Sequence, residues 1–414
     1  MGSEKKKQGF SLKFNDEYPI LRPLWVSVFT DILGFTIILP FLPLLARDFA
    51  TSDLLLGLLI ASNAIFGFFF SPILGKLSDK YGRRPWILIS QLGTIAGFLV
   101  LAFSNSLWML FLARIIDGMF GGQFPISKAI IGDAVEPKDR GKQMTNIGVA
   151  FTLASLIGPA LGGFLSNAFG IIGPGLAASI IAIFTFSYTY LKLPETLPEI
   201  VGRPAWALKY EQKIVNPQKP IESIWKNEKA LYVLFMYLFL ALAATVFQST
   251  FSLFGNMRLN LDAAMIGILF SSMGLFQVFF RFLFFNRIRD KLGDTKTALI
   301  GLINFIPAYA LLGIVTNFYS MMLVLFYISI GNSMARGIVN SFASRTVDHR
   351  NQGKIMGLTT SIDNFSQIIG PIFGTMILSN PNPWAYVGLL IILSVIAFVL
   401  SLRFPSFGFE KPDH

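Results

Sequence analysis

The stretch Gly75-Lys76-Leu77-Ser78-Asp79-Lys80-Tyr81-Gly82-Arg83-Arg84-Pro85 separates two apolar runs, near 53-76 and 85-104. Each run is about the 20 residues that a membrane-crossing helix needs. Between them, Gly82 supports a tight turn and Pro85 suits the first turn of the next helix. Asp79 can pair with the arginines or sit at that helix's positive N-terminus. A charged loop between two lipid-length runs is the unit from which the rest of the chain reads.

The same pattern continues in both directions. Spans are expected near 22-45, 53-76, 85-104, 107-131, 142-165, 171-192, 229-253, 262-286, 296-316, 319-343, 353-378 and 384-403. Breaks fall at charge or turn chemistry such as Arg47-Asp48, Ser104-Asn105-Ser106 and Asn380-Pro381-Asn382-Pro383. The first 20 residues are polar and basic and carry no cleavable signal pattern. Composition agrees: 53% of residues are hydrophobic, 42 of the 414 are phenylalanine and only 14% are charged, against about 25% charged in a soluble chain. One globular core cannot hide that much apolar surface. Cysteine is absent and only His349 and His414 could supply imidazole, so neither a disulfide framework nor a metal site is expected.

The charge balance assigns orientation. Of the 34 Lys and Arg residues, 28 fall in segments on one side if the N-terminus is cytoplasmic, four lie inside spans (Arg114, Lys128, Arg281, Arg336) and two lie outside (Arg47, Arg258). Both termini are therefore expected in the cytoplasm, and the net charge of +11 reflects this topology, with no nucleic-acid partner implied.

The chain also repeats itself. GKQMTNIGVAFTLASLIGP at 141-159 is echoed by GKIMGLTTSIDNFSQIIGP at 353-371, and LSDKYG near Asp79 by IRDKLG near Asp290. The expected fold is an all-α membrane protein with twelve transmembrane helices in two pseudo-symmetric six-helix bundles, 1-192 and 229-414, joined by a cytoplasmic linker at 193-228. Such repeats place a substrate site at their interface near the bilayer midplane.

The loop at 75-85 resembles the signature cytoplasmic loop of the major facilitator superfamily at nearly every position. Asp31-Ile32-Leu33-Gly34 leading to Pro40 and Pro43 is similar to the first-helix motif of its twelve-helix drug/proton antiporters. Leu112-Ala113-Arg114-Ile115-Ile116-Asp117-Gly118 is similar to the intramembrane arginine motif. Gly158, Pro159, Gly162 and Gly163 resemble the antiport-type motif. Residues 30 to 165 resemble the tetracycline/proton antiporters most. The third-helix aspartate common in those exporters corresponds to Gly97, and span eight has no histidine. The resemblance implies proton-driven export by alternating access. It also implies that Gly75, Asp79, Gly82, Arg83, Arg84 and Asp133 form a conformational latch.

Charges inside the hydrocarbon layer are costly and turn inward by default. At about 1.5 Å per helical residue, Asp31 lies roughly 13 Å deep, and Asp117 and Asp363 roughly 15 Å. Asp31, Arg114, Asp117 and Asp363 are the expected proton-coupling set, with Arg114 pairing Asp117 or reaching span one. The bland alternative is a permanent ion pair between helices. Phe35, Asn63, Phe247, Gln277, Phe365 and Gln367 are expected to supply the walls and few polar groups of a pocket. Lys128 reads as a gate or helix-end partner of Asp133, and Arg281 and Arg336 as snorkelling anchors or gate partners.

The function expected is export of a small amphipathic compound by proton antiport from the cell membrane, by a protein working as a monomer. The partners are then that small molecule, protons and lipid. Proton-coupled symport is the alternative, and a transporter-like sensor or scaffold the remote one. No catalytic motif and no phosphate-binding glycine loop is present, so neither an enzyme nor a cofactor is expected.

Overall fold

The hydrocarbon layer offers no water to a backbone N–H or C=O, so a spanning segment must bond to itself as a helix. In a computed structural model, which describes residues 18, 20-47, 49, 52-201, 224-347, 351-380 and 382-408, the chain is almost entirely helical, with no strand among those residues. The middle of the expected linker (202-223) and the first 17 residues lie outside the described residues.

The helices are α1 (Leu21–Ile38), α2 (Leu42–Arg47), α3 (Asp53–Tyr81), α4 (Arg83–Ala102), α5 (Leu107–Met119), α6 (Gln123–Ala134), α7 (Pro137–Phe169), α8 (Ile172–Lys192) and the single turn α9 (Pro198–Val201). They continue as α10 (Glu228–Leu259), α11 (Ala263–Phe280), α12 (Asn286–Leu312), α13 (Phe318–Arg345), α14 (Gln352–Leu378) and α15 (Pro383–Ser401). Their starts are chemically marked. Ser52, Asn227, Asp262 and Asn317 each accept a backbone N–H three residues on, satisfying donors that have no partner within the helix.

Nine helical stretches among the described residues are long and apolar enough to cross a membrane. The stretch Ala263–Leu312 holds two of the expected spans, joined through a π-helical turn at Arg281–Phe285. Span four is broken between α5 and α6, and α14 is long but carries a polar stripe. Every stretch expected to span thus holds helix. The break in span four leaves carbonyls without helical donors, and neighbouring helices supply them: the Ser90 hydroxyl donates to Phe120 O and the Ser71 hydroxyl to Gly121 O.

In the first half α1 packs on α7 and α8, and α4 on α5 and α8; in the second α10 packs on α14 and α15, and α12 on α13 and α15. The halves meet through α7 against α11, α3 against α14 and α2 against α10. These contacts concentrate at one end. A Cβ on Gly57 would lie 2.7 Å from Ile372 Cα, and one on Gly163 would lie 2.5 Å from Ala263 O, while Gly267 abuts Pro159 O. At the opposite end, which carries Arg83, Arg84 and the chain's other clustered cations, a Cβ on Gly75, Gly148, Gly353 or Gly357 meets nothing within 4 Å. Gly75, one of the expected latch residues, therefore faces open space. We call these the far end, which is closed, and the basic end, which is open.

Candidate functional site

Within the first half, α1, α3, α4 and α5 bring four of the expected residues together. Arg114 Nη1 pairs with Asp117 Oδ2 at 3.0 Å, one turn along α5. Asn63 of α3 donates Nδ2 to the same oxygen at 2.8 Å, and the Arg114 guanidinium lies 5.6 Å from the centroid of the Phe35 ring on α1. Gly97 makes the cluster possible, because a Cβ there would stand 3.2 Å from Asp117 Cβ. The space beside Gly97 is thus taken by the Ala113 carbonyl and by the Cβ and backbone of Asp117, both on α5. Arg114 does not bridge to α1: Asp31 has no hydrogen bond or ion pair among the described residues. It lines instead a small cavity with Thr30, Gln91, Thr94, Phe98, Gln123, Ala182 and Thr185.

The second half contributes a separate cluster. The Tyr237 hydroxyl of α10 lies 3.0 and 3.1 Å from the two oxygens of Asp363, and Arg336 of α13 approaches the same carboxylate at 3.6 Å. Of the two expectations for Arg336, snorkelling anchor or gate partner, the approach to Asp363 favours the second. Lys128 of α6 lies over the Phe124 ring at 4.5 Å and within electrostatic reach of Asp363 across the interface between halves. Its expected partner Asp133 is taken by Arg83.

Two expected wall residues face elsewhere. Phe247 is 3% exposed and packs on Phe251 and Tyr309 in the core. Phe365 lies about 200° around α14 from Asp363, on a strongly exposed apolar face with Met376. Gln367 sits one turn from Asp363, and Gln277 is half-buried on α11. Of the antiport-type motif, Gly158 abuts Thr36 and Gly162 abuts Ile37 O on α1, while Gly163 meets α11. The Pro159 kink is met by Ser271, whose hydroxyl accepts the Ala160 N–H at 3.0 Å.

At the basic end Arg83 pairs with Asp79 and, through Nε, with Asp133 Oδ2 at 2.8 Å. A residue that sequence reasoning passed over completes this group. Glu195 accepts the backbone N–H groups of Arg83, Arg84, Thr196 and Leu197. Burial alone pushes its carboxyl up, but these four donors outweigh burial and hold it below the usual glutamate range. Gly82, at φ +112°, leaves it room: a Cβ there would lie 2.6 Å from Glu195 Oε2. Arg84 donates Nη2 to Tyr190 O at 2.7 Å and so ties the same loop to the end of α8. Tyr237 was also missed, since a tyrosine inside an apolar run gives no signal of what it faces.

A bundle with nine helical stretches of membrane-crossing length and apolarity among the described residues, and with acids set inside the helices of both halves, has the build of a multi-pass membrane transporter. The chain belongs to the Major Facilitator Superfamily, whose family model matches residues 24–262 and 233–412. It is similar to the class B tetracycline resistance protein of Escherichia coli, with 28% identity covering 91% of this chain and 95% of that one. It is similar as well to major facilitator superfamily domain-containing protein 10 of Mus musculus, with 26% identity covering 86% of each. Among solved structures it resembles the human organic anion transporter MFSD10, with TM-score 0.68, 20% identity and coverage of 92% and 99%. A bacterial homolog of the human lysosomal transporter Spinster aligns with TM-score 0.74, 15% identity and coverage of 97% and 100%. The protein is a multi-pass membrane transporter.

Proposed function

We propose that this transporter exports a small amphipathic compound in exchange for protons, rocking its two bundles (1-192 and 229-414, joined by the linker 193-228) about a central site. One observation carries the reading: Asp31, deep in α1, is a carboxylate without a hydrogen-bonded partner beside the balanced Arg114–Asp117 pair. An uncompensated acid at membrane depth is a functional group by default, and a protonatable one can alternate between proton and substrate. The relatedness to tetracycline resistance proteins favours export. The excess of cations at the basic end supports a cytoplasmic position for that end and for both termini in a cell membrane, and on that reading the chain stands open inward. The Arg83 network with Asp79, Asp133 and Glu195 then acts as the latch that one access state keeps and the other loses. Each charge that falls through 100 mV supplies about 2.3 kcal/mol.

Proton-coupled symport is the second reading, and the Asp363 cluster favours it: two cations, Lys128 and Arg336, face one acid. That surplus suits a substrate with an acidic group, in keeping with the organic anions named for MFSD10. Proteoliposomes holding a pH dye separate the two. A substrate gradient drives protons the opposite way under antiport and the same way under symport. Asp31→Asn should abolish coupled flux in correctly inserted protein; uphill export surviving in that variant removes Asp31 as the carrier.

A further inference from the structure

The cavity beside Asp31 has a composition that proton transfer does not require. Its volume of about 10 Å³ matches the room for a single water-sized occupant. Thr30, Gln91, Thr94, Gln123 and Thr185 contribute oxygen-bearing side chains around the one carboxylate. Gln91 and Gln123 are only 2% and 3% exposed. Their amide nitrogens are engaged: Gln91 Nε2 donates to Ser27 Oγ at 2.7 Å and Thr189 Oγ1 at 3.0 Å. Gln123 Nε2 donates to the Ser27 carbonyl at 3.2 Å, which fixes the orientation of that amide. Both Oε1 atoms are left buried without a partner. A buried polar atom with no partner costs about 1–3 kcal/mol, and here two such oxygens belong to residues that line the cavity beside Asp31.

We propose that this cavity is a binding site for a sodium ion, held by the Asp31 carboxylate and by the oxygens of Gln91, Gln123 and Thr94. The inference rests on the reading of Asp31 as the coupling carboxylate, and makes Na⁺ a competitor of the proton there. Charge selects the occupant. Asp31 is the one charged residue that lines the cavity, and Asp117, within its electrostatic reach, is itself paired with Arg114. One net negative charge balances a monovalent cation. Among the described residues no group of three metal-binding side chains is present to hold a divalent ion. Hard oxygen donors suit a hard cation, and Na⁺ is the harder of the two common monovalent cations, the better match to a carboxylate with neutral oxygens. A proton needs only the carboxylate, so the ring of neutral oxygens is the part that only a metal cation uses.

The test is thermal unfolding of the purified full chain at constant ionic strength in NaCl, KCl or choline chloride, with radioactive sodium binding in parallel. The expected result is a saturable rise in unfolding temperature with Na⁺ that neither K⁺ nor choline reproduces, lost in Asp31→Asn. Thr94→Val removes one oxygen at nearly constant shape and should weaken sodium binding about tenfold, the scale of one contact to a charged group. Gln123→Leu should weaken it at least as much. Equal stabilisation by all three salts, or sodium binding unchanged in both Thr94→Val and Gln123→Leu, overturns the site and leaves the cavity to a water molecule. Proton flux in sodium-free choline buffer is read separately. Coupled flux that persists in Asp31→Asn defeats the proton reading, whatever the sodium result.

Discussion

At the scale of the residue, Glu195 joins the start of the linker to the first turn of α4, since two of its four N–H donors belong to Arg83 and Arg84. Its carboxyl is held below the usual glutamate range, so its ionised form binds better in the folded chain than in the unfolded one. That stability is fully present above the unfolded value, about pH 4.3, and is lost as pH falls through the lower folded value. Thermal unfolding of wild type and Glu195→Gln should therefore differ most near neutral pH and converge below about pH 4. Curves that stay parallel to the acid limit would remove Glu195 from the latch. Asp79, Gly82, Arg83 and Asp133 were named because the chain's motifs resemble a family signature, and the first three stand in the charged loop between two apolar runs. Glu195 was illegible because its partners are backbone amides, which leave no trace in side-chain identity. Arg336 was left between anchor and gate partner for a related reason: depth along a helix is countable, but rotation toward Asp363 depends on how α13 packs.

At the scale of the element, apolar length made each span legible, whereas the devices inside the spans were hidden. The break between α5 and α6 falls at Gly121-Gly122, a pair that a hydropathy window averages away, and its carbonyls depend on serines of α3 and α4. The helix faces that join the halves follow the same logic. Gly57 brings α3 onto Pro371 and Ile372 of α14, and Gly163 brings α7 onto Ala263 of α11, with backbones close enough to exclude a Cβ. Small residues allow such approach where lipid provides no hydrophobic drive between helices. Gly57→Val should therefore wedge the far end open. Overpacking costs about 1–3 kcal/mol, which is felt only in the state where α3 and α14 touch. A water-soluble thiol reagent should then label a single cysteine at Thr375 faster in the Gly57→Val background than without it. Unchanged labelling, with unchanged unfolding temperature, would mean that the α3–α14 contact does not hold the far end shut.

At the scale of the whole molecule, the two ends behave as one balance. An expected polarity of the bundle was readable from sequence in the placement of charge, and an expected two-fold build in the internal echo of 141-159 in 353-371. Which end is open was not, because composition is identical in either state and only the packing of glycines differs. Gly57 and Gly163 are engaged while Gly75, Gly148, Gly353 and Gly357 are free. If the halves rock as rigid bodies, engagement at one end must release the other. The chain has no cysteine, so Gly353→Cys gives a single thiol at the basic end without a cysteine-free background having to be built. An impermeant maleimide should label it only from the face that carries the termini, and rapidly, since that end is open. Adding Gly57→Val, some 296 positions away in the chain, should slow this labelling. A bias of 1.4 kcal/mol between the two states shifts their ratio about tenfold, which labelling rates resolve. Fast labelling at 353 that ignores the substitution at 57 would show that the ends open independently, and the alternating-access reading of this chain would fail with it.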